Sequence, residues 1–164
     1  VEQARVDLLQ RMPIFGGIRA DTLDLLISQC PIVEVRAGEL FFREGEAADS
    51  MFVLEAGKVA VVKSWGSAEQ LLHTLDRGDC FGEMALMDLM PRCASVRALE
   101  DCRAIRISAA SLYEVYEKDL EQFAIIQMNM GREVSRRLRE ADECLFRAQM
   151  GAPGTGASGV FRGG

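Results

Sequence analysis

The feature that most constrains this chain is a series of glycines spaced through its middle. Gly38, Gly45, Gly57, Gly66 and Gly78 are separated by seven, twelve, nine and twelve residues, and the segments between them are short and rich in Val, Ile, Leu and Phe. Turn residues at that spacing between short apolar runs are the pattern of a small antiparallel barrel or sandwich. Between Gly57 and Gly66, Val59, Val61 and Lys63 alternate with Ala60, Val62 and Ser64, which leaves one face to bury. The pattern extends from Ile32 to Ile107.

Helical spacing flanks it on both sides. Val6, Leu9 and Met12 fall on one face of residues 2–12, which Pro13 interrupts, and Leu23, Leu26 and Ile27 fall on one face of residues 21–30, with Asp21 as the expected N-cap. After the strands, Ser108 is the expected N-cap of a short helix through Tyr116. A longer helix is expected at about 119–148, striped by Phe123, Ile126, Met130, Val134, Leu138, Ala141 and Leu145. Gly131 is the weak point of that helix and a candidate bend. Six of the fifteen glycines lie in residues 149–164, which read as a flexible Gly-rich tail or linker. Residues 1–148 are then one domain, about the size one core can fill.

Composition narrows the function classes. At 49% hydrophobic and 27% charged residues the chain is globular rather than disordered. Nineteen Lys and Arg against twenty-five Asp and Glu give a net charge of −6, the opposite of the basic excess expected of a freestanding DNA-binding domain. No apolar stretch has the length of a signal peptide core or a membrane span. Cys30, Cys80, Cys93, Cys102 and Cys144 are an odd, scattered set without metal-binding spacing, so no metal is expected, and they read as reduced thiols in a cytoplasmic protein. The chain begins with Val, as a trimmed sequence or a piece of a longer one would.

One segment carries chemistry. Residues 78–98 interrupt the strands with Gly82, Glu83 and a short apolar helical turn that Pro91 closes. Gly82 lets the backbone approach a ligand, and the turn after it points free N–H groups outward, where a phosphate oxygen is suited. Glu83 would repel a bare anion but accepts hydrogen bonds from a ligand's hydroxyls. Arg92 has the fork to hold two phosphate oxygens. Amides, a carboxylate and an arginine within eleven residues point to a sugar phosphate. The competing explanation of Glu83 and Arg92 is a buried structural ion pair between them. His73, the only histidine, is expected at a solvated or rim position, since strand alternation turns it away from Leu72.

FGEMALMDLMPRCASV resembles the phosphate-binding cassette of the cyclic-nucleotide-binding domains, and RAGELFFREGEAADSMFVLEAGKVAVV resembles that family's preceding strands. With the helices, the resemblance covers about residues 5–148. It implies a mainly β fold with flanking helices: an antiparallel β-roll, a jelly-roll-like barrel with N-terminal helices and a C-terminal helical lid. It also implies that Glu83 binds the ribose 2′-hydroxyl and Arg92 the exocyclic phosphate oxygens. Backbone amides around Gly82, Met84, Ala85, Cys93 and Ala94 would complete the anion site. Val61 and Leu72 would line the base pocket, and the long helix would close over the base with Ala141 and Asp142. Two departures stand out. Ala141 lacks the hydroxyl that relatives place there. Cys93 replaces the usual Ala, Ser or Thr, and because a thiol donates poorly the expected ligand is cyclic AMP rather than cyclic GMP.

The expected function is a regulatory module that senses cyclic AMP, is not an enzyme, needs no cofactor, and reports occupancy through its C-terminal helix to a protein partner or a second copy. Two alternatives stand beside it: a ligand-free interaction or dimerisation scaffold, and the sensor part of a transcription factor lacking its DNA-binding domain. No specific DNA binding and no membrane attachment are expected of the chain as written. No nucleophile–His–acid set or zinc-protease motif is present.

Overall fold

The computed structural model describes residues 2–151. The tail expected over 149–164 therefore lies, beyond Gly151, outside the described residues. Helix α1 (Glu2–Gln10) leads through a 3-10 turn at Pro13–Phe15 into α2 (Ala20–Ser28). Strands follow as β1 (Ile32–Val35), β2 (Leu40–Phe42), β3 (Ser50–Ala56), β4 (Val59–Trp65), β5 (Ala68–Leu75) and β6 (Cys80–Phe81). The short helix α3 (Met84–Asp88) precedes β7 (Ser95–Ala98) and β8 (Cys102–Ser108), and α4 (Ala109–Lys118) and α5 (Leu120–Met150) complete the described elements.

The strands form two four-stranded antiparallel sheets, ordered β1-β8-β3-β6 and β2-β7-β4-β5. This corrects the expected β-roll, a jelly-roll-like barrel: among the described residues no strand ladder joins the two sheets and neither closes into a barrel. The reason lies in the middle layer. Met51 and Val53 of β3 and Ile105 and Ile107 of β8 face the helices, packed with Leu9, Phe15, Leu26, Ile126 and Met130. Phe52 and Leu54 of β3 and Ala104 of β8 face the other sheet, packed with Phe42, Val59, Val61, Phe81 and Val96. A sheet apolar on both faces must be covered on both, so it lies open between helices and a second sheet. Its edge strand β6 has only two residues. Gly57 makes one crossing between the sheets at φ +96°, where a Cβ would stand 2.6 Å from the Cys102 sulfur and 2.8 Å from the Asp101 carbonyl.

The helix ends follow capping chemistry in two of three places. Ser108 accepts from the Ser111 amide at 3.0 Å, and Asp119 accepts from the Gln122 amide at 3.1 Å. Asp21, expected as an N-cap, instead lies in the first turn of α2, which begins one residue before it. Helix α5 is joined to the N-terminal helices by polar contacts. Asn129 Nδ2 donates to the carbonyls of Ile14 and Gly16 at 3.1 and 2.9 Å, and the Arg19 amide donates to Gln122 Oε1 at 2.8 Å. From Leu138 to Met150 every residue of α5 is exposed, so this part of the expected lid covers none of the described residues. Among the described residues no helix is long and apolar enough to cross a membrane.

The helix runs through Gly131 without interruption. A Cβ there would meet only the Met87 methyl, at 4.0 Å. Gly131→Ala is therefore expected to raise stability by about 1 kcal/mol, read as a higher midpoint in urea unfolding; a lower midpoint would mean that the glycine is needed for its shape.

Candidate functional site

The segment between β6 and β7 folds back under α5. Gly82 has φ +80°, and a Cβ on it would stand 2.5 Å from Arg92 Nη1, so only glycine allows the arginine its place. Arg92 Nη1 donates to the Gly82 carbonyl at 3.1 Å, and the guanidinium lies 4.0 Å from the centre of the Phe42 ring. The backbone of Arg92 is pinned on both sides: its amide donates to the Glu46 carbonyl at 2.9 Å and its carbonyl accepts from the Gly45 amide at 2.8 Å. Glycine turn, arginine and aromatic floor thus form one unit.

The electrostatics of that unit are unbalanced. Arg92 is only 7% exposed and forms no ion pair among the described residues, and its Nε has no hydrogen-bond partner. Burial pulls its guanidinium below the ordinary arginine value, with Asp49 opposing; it remains charged at any ordinary pH. Nearby Arg106 is already satisfied by Asp49 and Ser50, both at 3.1 Å. Buried charges are normally paired, because removing one from water costs several kcal/mol per ion. An arginine held this way can accept an anion from outside the chain.

Glu83 is 2% exposed and stands at the N-terminal edge of α3. The expected alternative, a structural pair between Glu83 and Arg92, is not formed. Glu83 is instead bound by Arg137 of α5, which also donates to the Cys80 carbonyl at 3.1 Å. Burial lowers the Arg137 pKa, but Glu83, Cys80 and Glu133 together hold it above the ordinary value. The sequence reading missed Arg137 as a partner. It stands one residue before Leu138, where a charge on a long helix reads as solvated; the usable signal is a cation on the same helical face as Met130 and Val134, the last part of α5 that packs.

The remaining expected residues are placed unevenly. Ala85 and Ala94 are buried beside Glu83 and Arg92, while Met84 and Cys93 are exposed. Val61 is buried in the layer between the sheets, and Leu72 is half exposed on edge strand β5. The β4–β5 pairing shifts register between Val61 and Val62, and His73 is the direct partner of Val61. The two therefore share a face, contrary to simple alternation, because the irregularity at Leu72 resets it. His73 is exposed; burial first, then Arg137, lowers its pKa, with Glu83 and Asp79 opposing. Ala141 and Asp142 are exposed on the projecting part of α5 and make no hydrogen bond to the cassette. Leu89, the C-cap of α3, is left-handed at φ +57° and 82% exposed, a backbone cost often found at binding loops.

Comparison with known proteins shows the family and the fold. Residues 32–119 match the family described as the cyclic nucleotide-binding domain. The chain is 30% identical over 131 residues to the cyclic AMP receptor protein of Thermus thermophilus, covering 79% of this chain and 59% of that one. The crystal structure of the Thermus thermophilus catabolite activator protein superposes with a TM-score of 0.73 at 28% identity, over 84% of this chain and 63% of the other. The N-terminal domain of a Streptomyces coelicolor transcriptional regulator superposes with a TM-score of 0.69 at 26% identity, over 84% and 94%. The chain spans about three fifths of the length of the first curated relatives it matches.

Removing Arg137 strands a carboxylate that is almost wholly out of water. Arg137→Ala is expected to cost about 2 kcal/mol, below the usual range for a buried pair because the arginine is partly exposed. In a double-mutant cycle by urea unfolding, adding Glu83→Gln should recover part of that loss; strictly additive losses would show that the two groups are not coupled.

Proposed function

The chain belongs to the cyclic nucleotide-binding domain family, a regulatory and non-catalytic module, and on that premise we propose that it senses cyclic AMP and reports occupancy through α5. The observation that carries this reading is the buried Arg92 guanidinium, which forms no ion pair among the described residues although Asp49 and Glu46 act on it from a distance. A cyclic phosphate supplies the missing anion, two oxygens matching the guanidinium fork. The amides of Gly82, Met84, Ala85, Cys93 and Ala94 are assigned to the same phosphate, and Glu83 to the ribose 2′-hydroxyl. Val61 and Leu72 are assigned to the base from the sheet side, and Ala141 and Asp142 from α5. Cys93 favours cyclic AMP over cyclic GMP, since a thiol is a weak donor to a guanine oxygen.

The signalling step follows from the shared use of Glu83. In the described state Arg137 holds that carboxylate, so a ribose hydroxyl arriving there must compete with α5 or share with it. Either outcome changes the free energy of one helix position relative to another, which is what a ligand needs in order to shift a conformational equilibrium. The receiver of the signal is a protein partner or a second copy. Leu138, Leu145, Phe146 and Met150 support this, being largely exposed at helical spacing on the part of α5 that covers none of the described residues. Relatives named as transcriptional regulators support a place for such a sensor within a larger regulator.

Calorimetry with cyclic AMP and cyclic GMP tests the reading directly. Cyclic AMP is expected to bind more tightly, and the absence of binding by either below millimolar concentration would sink it. Arg92→Lys keeps the charge but loses the fork, so affinity should fall by at least about tenfold; an unchanged value would remove Arg92 from its role. For the output, sedimentation of the parent and of Leu138→Glu with Leu145→Glu should show self-association in the first and a monomer in the second. Identical behaviour would remove the helix as the contact.

A further inference from the structure

The five cysteines fall into two groups. Cys30, Cys80 and Cys102 are buried, and Cys93 and Cys144 are exposed. The buried group is chemically quiet: burial, with Glu83 adding to it, pushes the Cys80 thiol up to about 12, and Cys102 donates to the carbonyls of Lys58 and Glu100 at 3.4 and 3.2 Å. Cys144 is on the projecting end of α5, remote from any built site. Cys93 is different. It directly follows Arg92, whose buried guanidinium has an Nε without a hydrogen-bond partner and forms no ion pair among the described residues. Its carbonyl accepts from Lys63 Nζ at 2.8 Å, a cation already paired with Glu44 at 3.3 Å. A solvent-open nucleophile thus sits at the rim of a site whose buried cation lacks an anion.

We propose that Cys93 is a thiol-modification site, and that a mixed disulfide formed there with a small anionic disulfide of the glutathione class closes the anion site to its ligand. The inference rests on the cyclic-nucleotide reading of that site. In the exchange the Cys93 thiolate attacks one sulfur of the disulfide; a new S–S bond forms as the old one breaks, and the departing thiolate takes up the proton that Cys93 released. Cys93 is oxidised and the departing half is reduced, so the disulfide is the only oxidant required. The unpaired charge of Arg92 draws the carboxylates of such a disulfide towards the sulfur. Once tethered, those carboxylates compete for Arg92 at an effective concentration that no free anion reaches. Reduction reverses the change, which makes nucleotide sensing conditional on thiol state.

The test uses the full chain, first reduced and then exchanged with oxidised glutathione, with peptide mapping to locate the adduct. The adduct is expected on Cys93, and with it a loss of cyclic AMP affinity of at least about tenfold, as expected when charge-assisted bonds to one arginine are denied to a ligand. A reductant should restore binding. Cys144→Ser should respond like the parent, and Cys93→Ser, whatever its own affinity, should not respond at all. By reciprocity, saturating cyclic AMP should slow modification of Cys93 and leave Cys144 unaffected. Unchanged affinity in chains carrying the Cys93 adduct, or an adduct confined to Cys144, overturns this proposal and leaves the cyclic-nucleotide reading standing. Failure of the reduced chain to bind any nucleotide overturns both.

Discussion

The contact between Arg92 and the Gly82 carbonyl is the constraint on which the site depends. It requires a glycine, because a Cβ would take the arginine's place, and it requires the left-handed turn that only glycine enters freely. It also ties the start of the cassette to its end, ten residues apart. The price is a charge held against aromatic rings with an incomplete set of partners. A fold maintains such an arrangement only when the surrounding layers are well packed, and here the Phe41, Phe42, Phe52 and Phe81 cluster supplies that packing. The stability of the sheet layer and the reactivity of the cassette are thus two aspects of one arrangement.

Glu83 connects that cassette to α5. The helix is not held by apolar packing alone: its first half shares the helical core through Ile126 and Met130, Asn129 clamps it to the turn at Ile14 and Gly16, and Arg137 is the last residue to reach inward. Beyond it the helix depends on its own backbone and on surface pairs such as Arg147 with Glu143, each worth only a few tenths of a kcal/mol. The boundary between the anchored and free parts of α5 therefore falls at the residue that touches the candidate ligand carboxylate.

Much of this was legible in the sequence. The glycine spacing announced the strands, Ser108 announced the start of α4, and Gly82, Glu83 and Arg92 stood out as a candidate anion site. What was not legible depended on contacts distant along the chain. Alternation in β4 and β5 does not reveal the register shift that pairs His73 with Val61. The apolar run of β3 is compatible with a barrel wall or with a middle layer, and only the helices on its far side decide between them. Arg137 looks like any surface arginine until Glu83, 54 residues earlier, is brought beneath it.

Under the proposed function, the free half of α5 would act as a mechanical arm. From Leu138 to Met150 it extends roughly 20 Å at 1.5 Å per residue, with its fulcrum at Arg137. A tilt of about 10° at that fulcrum, small enough to follow from one broken ion pair, carries the far end through roughly 3 Å. That displacement is comparable to the change between two packed positions of a helix at an interface. Amplification of this kind needs no change in the sheets, since the arm's length converts a local exchange of partners at one carboxylate into a movement that a neighbouring molecule can detect.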